Sequence, residues 1–403
     1  MIRSWLESAP RAATICALIS VTALLFSAAA EHPHALDPAW IAVILCGAPI
    51  LYTSAHSLLC ARKVRAELLV SAALIGALAV GEYLAAGGAA LIMQFGIMLE
   101  EQVILRAQRS VNALHAQENA AGTAHTIDAH ATSIVQATER TASRLILLAF
   151  VLAGAIWWGS GDFDRAVAAL VVFCPCAFVH AAPMAISAAI GSLAQHGILL
   201  RTSCALERLS RIENIVFTPE AVAPGGYMQT NAAQLTAKLR RMGLHPVLLA
   251  PAGAQTAAQI AAQAGIRDIR TALPPPNDPF AFSTALIRRG EGGCDPAPAD
   301  CLHISIGGTA DDTAADIIYS AKDLSDLPVL ILTTRRMRQK IEQNALFGLT
   351  LNFIALSLAA CGWLTPLTGA VWHNAAAIFI VLNAAFLTAS ADHEKKFAFS
   401  TSL

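Results

Sequence analysis

The chain has 403 residues, 56% hydrophobic and only 14% charged, against roughly 45–50% and about 25% in soluble domains, so a purely soluble protein is excluded. Lys+Arg 27 against Asp+Glu 28 leaves a net charge of −1, with no basic field for nucleic acid; the expected partner is the lipid bilayer. Nine cysteines are too few for a disulfide scaffold, so each is read by its place in the chain.

A membrane span needs about 20 mostly apolar residues, and about eight blocks qualify. Behind a short cytoplasmic N-terminus (1–11), Ala12–Ala30 and Trp40–Leu59 make an N-terminal pair (12–59). Leu68–Ala86 and Ala89–Ile104 make a hairpin (66–104) that turns at Gly87-Gly88. A polar linker of helix-compatible composition, ending SIVQATERTASR, occupies 105–143. Leu145–Gly159 and Ala166–Leu193 form the next pair (144–194). Residues 195–340 alternate apolar runs (PVLLA, LHISI) with helical stretches (QTAAQIAAQAG, TADDTAADIIYSA), which reads as a small cytoplasmic α/β domain with a parallel sheet. PPPNDP, from Pro274 to Pro279, is a loop inside it. Ala345–Cys361 and Leu367–Ala389 close the bundle (343–390), and 391–403 is a cytoplasmic tail.

The first block also reads as a signal peptide, with Arg3 and Arg11 ahead of it and Ala28-Ala29-Ala30 behind. Charge favours retention. With the N-terminus cytoplasmic, Glu31–Pro38, the Gly-Gly turn, Gly161–Asp164 and the turn near Pro366 fall outside without Lys or Arg. Arg62, Lys63, Arg65, Arg106, Arg109, Lys395 and Lys396 fall inside. That is the positive-inside pattern of a multi-pass protein of the cytoplasmic membrane, with both termini cytoplasmic.

The chemistry concentrates in VVFCPCAFVHAAPMAISAAIGSLAQHGILLRTSCALERL. Proline lacks an amide hydrogen and clashes with the preceding turn, so Cys174-Pro175-Cys176 breaks or kinks the helix. In lipid such a break survives only where protein or a cavity satisfies the freed carbonyls. Two thiols across the break put soft donors at that point, and His180 lies one turn beyond Cys176. Thiolate plus imidazole suits Cu(I) or Zn(II) rather than Mg(II) or Ca(II). His180 equally serves as a hydrogen-bonding partner of a neighbouring helix. Lone cysteines such as Cys16, Cys46, Cys60 and Cys361 read as ordinary small helix residues.

CPC in a span, Pro183 seven residues on, and then GILLRTSCALERLSRIENIVF resembles the heavy-metal-translocating (type IB) P-type ATPases. VSAALIGALAVGEYLAAGGAALIMQFGIMLEE is similar to the family's first core hairpin, and the two preceding spans to its extra N-terminal pair. AADIIYSAKDLSDLPVLILTTRRMRQKIEQNALFGLTLNF and LTPLTGAVWHNAAAIFIVLNA resemble its closing spans. The resemblance places Asn352, His373 and Asn374 where family members carry membrane metal-site residues. His373 and Asn374 are also polar groups in an apolar helix, which face a bundle interior or bond another helix. Glu82 is a weaker intramembrane candidate, and Glu31-His32-Pro33-His34 a candidate at the far mouth.

Against the family's pattern, the phosphorylated aspartate of DKTGT becomes Thr218 and the following lysine Pro219. Threonine has no carboxylate to form an acyl-phosphate, and Glu220 is displaced by two residues. TGDN aligns with Ala250-Pro251-Ala252-Gly253, and no lysine lies between Lys238 and Lys322. CDPAPADC stands where GDGxND should, leaving Asp295 and Asp300, like Asp311 and Asp312, as loop acids. TGE is absent, too little chain follows Phe217 for the nucleotide-binding insertion, and the linker is too short for an actuator domain. The cysteine-pair metal domain is not expected in the residues before the first span. The reading is a degenerate member that holds a Cu- or Zn-class ion in the membrane without ATP or Mg: a metal sensor, carrier, passive conduit or partner of an intact pump. Two alternatives stay open, a pump powered by a separate motor subunit and a non-transport scaffold. Cys294 and Cys301 with His303, and Cys204, read as reduced structural thiols, with a cytoplasmic metal site as the alternative.

Overall fold

The computed structural model describes residues 10–29, 37–60, 65–98, 132–194, 196–229, 231–251, 255–273, 281, 283–289, 301–307, 315–319, 324–380 and 382–383. Glu31, His32 and His34, Arg62 and Lys63, the PPPNDP loop, Cys294, Asp295, Asp300, Asp311 and Asp312 lie outside the described residues, as do both chain ends. The chain divides into two compact units. One takes Met1–Leu105, Ala137–Ala182 and Glu342–Ala384; the other takes Arg106–Gln136, Pro183–Ile341 and Ala385–Leu403.

The first unit is helical. Among the described residues, three helices are long and apolar enough to cross a bilayer: Ala39–Leu59, Ser133–Ser160 and Leu327–Ala360. Shorter apolar helices include Ile15–Ala29, Glu67–Val80 and Tyr83–Met98. Ala149, Ala153, Ala166, Ala168, Ala169 and Ala355 fill its main cluster with Leu69, Ile146 and Val172. Without a hydrophobic force between helices in lipid, such small side chains associate them by letting backbones approach. Large apolar side chains point outward instead, among them Leu147, Val151, Leu346 and Ile354. In water such a surface would aggregate, whereas in acyl chains it costs nothing. Trp158 and Trp363 are also exposed, each beside a helix-ending turn, as interfacial tryptophans stand.

Two boundaries differ from the sequence expectation. The hairpin turns at Gly81-Glu82 rather than at Gly87-Gly88. Gly81 takes φ 87°, a left-handed helix cap that a side chain resists. Gly87 and Gly88 stay inside the Tyr83–Met98 helix, where a Cβ would press on the Ala39 carbonyl at 3.0 Å and the Leu367 side chain at 2.6 Å respectively. They are packing glycines. Glu82 therefore sits exposed at a turn, which removes it as an intramembrane ligand. Secondly, the helix expected from 144 begins at Ser133, absorbing SIVQATERTAS. Next to the Gly161–Asp164 turn, which itself holds no Lys or Arg, stands a cation. Arg165, on the first turn of the Phe163–Val172 helix, bonds Asp162 at 3.0 Å and the Ala360 carbonyl at 3.3 Å. Its charge is neutralised locally and caps the end of the Leu327–Ala360 helix.

The second unit holds a seven-stranded sheet: β1 Ile198–Leu200, β2 Asn214–Phe217, β3 His245–Leu249, β4 Asp268–Arg270, β5 Thr284–Arg289, β6 Leu302–Ile306 and β7 Ile317–Tyr319. The order is β1-β7-β6-β5-β2-β3-β4, parallel throughout except for the β1·β7 pair. PVLLA and LHISI fall on β3 and β6, and QTAAQIAAQA forms the Gln255–Ala264 helix. The IIY of TADDTAADIIYSA, expected to be helical, is strand β7; two isoleucines and a tyrosine, all buried, suit a packed pleat. Central strands are buried along their length, as in β2 and β6, which is how sheets covered on both faces read.

Within the same unit, Glu207 organises a helix start. Its carboxylate accepts from the Ser133 amide at 2.8 Å, the Ser133 hydroxyl and the Ile134 amide at 3.3 Å. Arg211 adds an ion pair at 3.0 Å. An anion at a helix N-terminus satisfies amides that have no intrahelical partner and meets the positive end of the dipole.

Candidate metal centre in the broken helix

The CPC motif does break its helix. One helix ends at Val172 and the next begins at Cys176, leaving Phe173, Cys174 and Pro175 between them. Phe173 still donates to Ala169 at 3.1 Å, and the Pro175 carbonyl restarts the ladder by accepting from Val179 at 3.1 Å. Cys174 is 1% exposed, and its carbonyl would be stranded in an apolar interior. Asn352 resolves this: its Nδ2 donates to the Cys174 oxygen at 3.1 Å. One residue on, Phe353 meets Phe173 edge to face at 5.2 Å between centroids, clamping the same segment.

Cys174 shares a buried cluster with Ile50, Val70 and Met93. Met93, on the Tyr83–Met98 helix, had no signal in the sequence, because a methionine in an apolar helix is ordinary core. Asn374 reaches it: Nδ2 donates to the Met93 sulfur at 3.4 Å and to the Ala370 carbonyl at 2.9 Å. The Asn374 oxygen lies so close over Gly96 that a Cβ there would overlap it. Two of the expected residues, Asn352 and Asn374, are thereby tied to Cys174 or to its cluster neighbour. His373 is buried at 4% exposure, and no described residue hydrogen-bonds its ring. The side chains of Cys176 and His180 lie outside the described residues. Among the described residues no three His, Cys, Asp or Glu side chains group together. The donors around Cys174 are a thioether and amides instead. The Cys174 sulfur is disulfide-bonded in this structure, so its use as a thiolate requires reduction.

In the sheet unit, Thr218 follows β2 at the carboxyl edge, where open α/β sheets bind their ligands. Its amide donates to the Ile287 carbonyl at 3.1 Å, and it begins the short Pro219–Val222 helix without a side-chain cap. Because Phe217 pairs with Ile287, the residues that follow on the neighbouring strand are Arg288 and Arg289. Glu220 is exposed. Thr218 on one strand and Arg288 and Arg289 on the other are thus the residues that follow this pair. Cys301 and His303 are buried on or beside β6; the His303 carbonyl accepts from the Asp316 amide at 3.0 Å, and the His303 amide donates to the Asp316 carboxylate at 2.9 Å. Burial first, and the Glu207 charge second, push the Cys204 thiol above its usual pKa, as befits an unreactive structural cysteine.

The chain thus carries an apolar helical unit with CPC at a broken helix and, within the same sequence, a largely parallel sheet. The chain is a relative of the heavy-metal-transporting P-type ATPases. It is 27% identical over 175 residues to the probable cadmium-transporting ATPase of Alkalihalophilus pseudofirmus, covering 40% of this chain and 24% of that one. The cadmium-transporting ATPase of Staphylococcus aureus matches equally, at 27% over 175 residues with the same coverage. The match therefore spans about a quarter of the length of these curated relatives. A zinc-transporting PIB-type ATPase solved in the E2.Pi state has the same fold, with TM-score 0.58 and 13% identity over 93% of this chain and 99% of that one. No protein-family model matches the chain.

Proposed function

We propose that this chain is an eight-span membrane protein that binds a soft transition-metal ion at the CPC break and does not hydrolyse ATP by itself. One observation supports the reading: the half-buried amide of Asn352, 178 residues away in sequence, donates to the Cys174 carbonyl. A proline break that served no purpose would be an expensive defect in lipid, whereas one with its backbone fixed by a partner helix presents Cys174 and Cys176 in a defined place. Cys174, Cys176, His180, Asn352, His373 and Asn374 are the proposed ligand and support set. Relatives named for cadmium and zinc favour a filled-shell, sulfur-seeking ion as the cargo.

The same reading treats the sheet unit as having lost its motor. A phosphoryl-accepting carboxylate is replaced by Thr218, and the neighbouring strand offers cations rather than the anions that hold magnesium. Movement of metal would then run downhill, or depend on an intact pump or separate motor subunit as partner. The test is metal analysis of the purified chain after phosphine reduction, beside Cys174→Ser/Cys176→Ser. About one ion per chain, lost in the double variant, is expected. Equal metal content in both, or metal-stimulated ATP turnover by the pure chain, refutes it.

A further inference from the structure

We infer that the sheet unit binds a small tetrahedral oxyanion, a phosphate group, at the carboxyl ends of β5, β6 and β7, held by Arg289 and without magnesium. This site lies wholly in the sheet unit and stands apart from the metal centre.

Arg289 is the last residue of β5, and ligands of open parallel sheets lie just outside that end of the strands. Its Nη1 is buried and has no hydrogen-bond partner among the described residues. Other arginines of the unit are served by the protein itself. Arg240 donates to the Gly265 carbonyl, Arg335 to the Met242 carbonyl at 2.5 Å, and Arg211 pairs with Glu207 at 3.0 Å. A guanidinium nitrogen withdrawn from water without an acceptor is costly, and an arriving anion removes that cost.

Strand register supplies the rest of the site. Arg289 pairs with Ile306 and Ile306 with Tyr319, so the three stand in one row and their side chains leave the sheet by the same face. Arg288, the neighbour in sequence, leaves by the other face. Strands lie about 4.8 Å apart, so roughly 10 Å separates the Arg289 and Tyr319 backbones, a gap that a guanidinium arm and a phenol can close on an anion. Tyr319 is 3% exposed and its hydroxyl is buried, an oxygen able to donate to an oxyanion. On the strand between them, Gly307 takes φ 65° just past Ile306, and a Cβ there would meet nothing within 4 Å among the described residues. The row ends in open space flanked by a cation and a phenol.

The chemistry of these groups narrows the ligand. A planar guanidinium fork matches phosphate oxygens bidentately. The same positive charge repels a magnesium ion, so binding is metal-free. With threonine rather than a carboxylate at position 218, the bound group is neither transferred nor hydrolysed. Free orthophosphate and the phosphate tail of a nucleotide share this chemistry.

The experiment uses the full-length chain in detergent, with EDTA present and ionic strength fixed by chloride. Calorimetric titrations are run with orthophosphate and with ATP, and thermal unfolding is followed with and without each. Orthophosphate should bind saturably and raise the unfolding temperature of the unmutated protein, a readout that needs no variant. Arg289→Gln should weaken binding roughly tenfold or more, the loss of a charge-assisted bond, and Arg289→Lys, which keeps the charge but not the fork, should fall between. Without phosphate, Arg289→Gln should unfold at the same temperature as the unmutated chain or higher, because an unpaired buried cation has been removed. ATP that displaces orthophosphate marks a nucleotide tail as the ligand, and orthophosphate that ATP fails to displace marks the free anion. No saturable binding of either, binding that requires Mg(II), equal affinity in Arg289→Gln, or a phosphate-free Arg289→Gln that unfolds at lower temperature would overturn the inference. None of these results bears on the metal centre, whose own test is loss of metal in the double serine variant.

Discussion

Replacing Asn352 by leucine removes a side-chain bond to the Cys174 carbonyl, a 3.1 Å contact from a half-buried amide. Hydrogen bonds between membrane helices are worth about 0.6 kcal/mol on average and about 1.7 at most. A stranded buried acceptor costs more, about 1–3 kcal/mol, because no water is at hand to replace the donor. Leucine recovers part of this by packing, so the expected net loss is about 1–2 kcal/mol, a factor of roughly 5–30 in an opening equilibrium. That opening exposes the segment around Cys174, which is otherwise 1% accessible. The assay is alkylation of the reduced protein in detergent, resolved residue by residue by mass spectrometry. Cys174 should react roughly 5–30 times faster in Asn352→Leu, because labelling of a buried thiol follows the local opening free energy. Cys361, already exposed, should react at an unchanged rate and serves as the internal standard. Equal Cys174 rates in the two proteins would refute the idea that Asn352 holds the break in place.

Two further outcomes are expected. Glu207→Gln keeps the shape but removes the charge that gathers the Ser133 and Ile134 amides and Arg211; with charged hydrogen bonds worth about 1.5–3 kcal/mol, the urea midpoint of the sheet unit should fall by about 2 kcal/mol equivalent, and an unchanged midpoint contradicts the capping role. Thr218→Asp restores a carboxylate after β2 but not the lysine and magnesium-holding aspartates that a phosphoryl-accepting site needs; incubation with radiolabelled ATP should yield no acid-stable phosphoprotein, and any label on residue 218 contradicts that account.

What the sequence disclosed depended on how strongly each residue restricts the chain. Pro175 has no amide to donate, so the break was readable from one letter, and the need for a partner on the freed backbone followed from the lipid surroundings. Asn352 was singled out only by resemblance, as a metal-site residue; its bond to the Cys174 carbonyl was not readable, because 178 residues separate donor from acceptor. Met93 gave nothing away, since a thioether and a packing side chain look alike until a neighbour bonds the sulfur. The hairpin turn was misplaced because paired glycines suggest a turn, whereas here they admit close helix contacts and Gly81 alone takes positive φ. The parallel sheet was legible from its apolar runs, except where Ile317–Tyr319 followed an acidic, helix-like stretch whose pattern masked it.

The bare helix surface at residue 96 also sets a rule for divergence. A methyl group there and the amide at 374 compete for one volume, so a side chain cannot enter at 96 while asparagine stays in this position at 374. In any collection of sister sequences the two columns should covary, glycine with asparagine, and a larger residue at the first accompanied by a shorter or apolar one at the second.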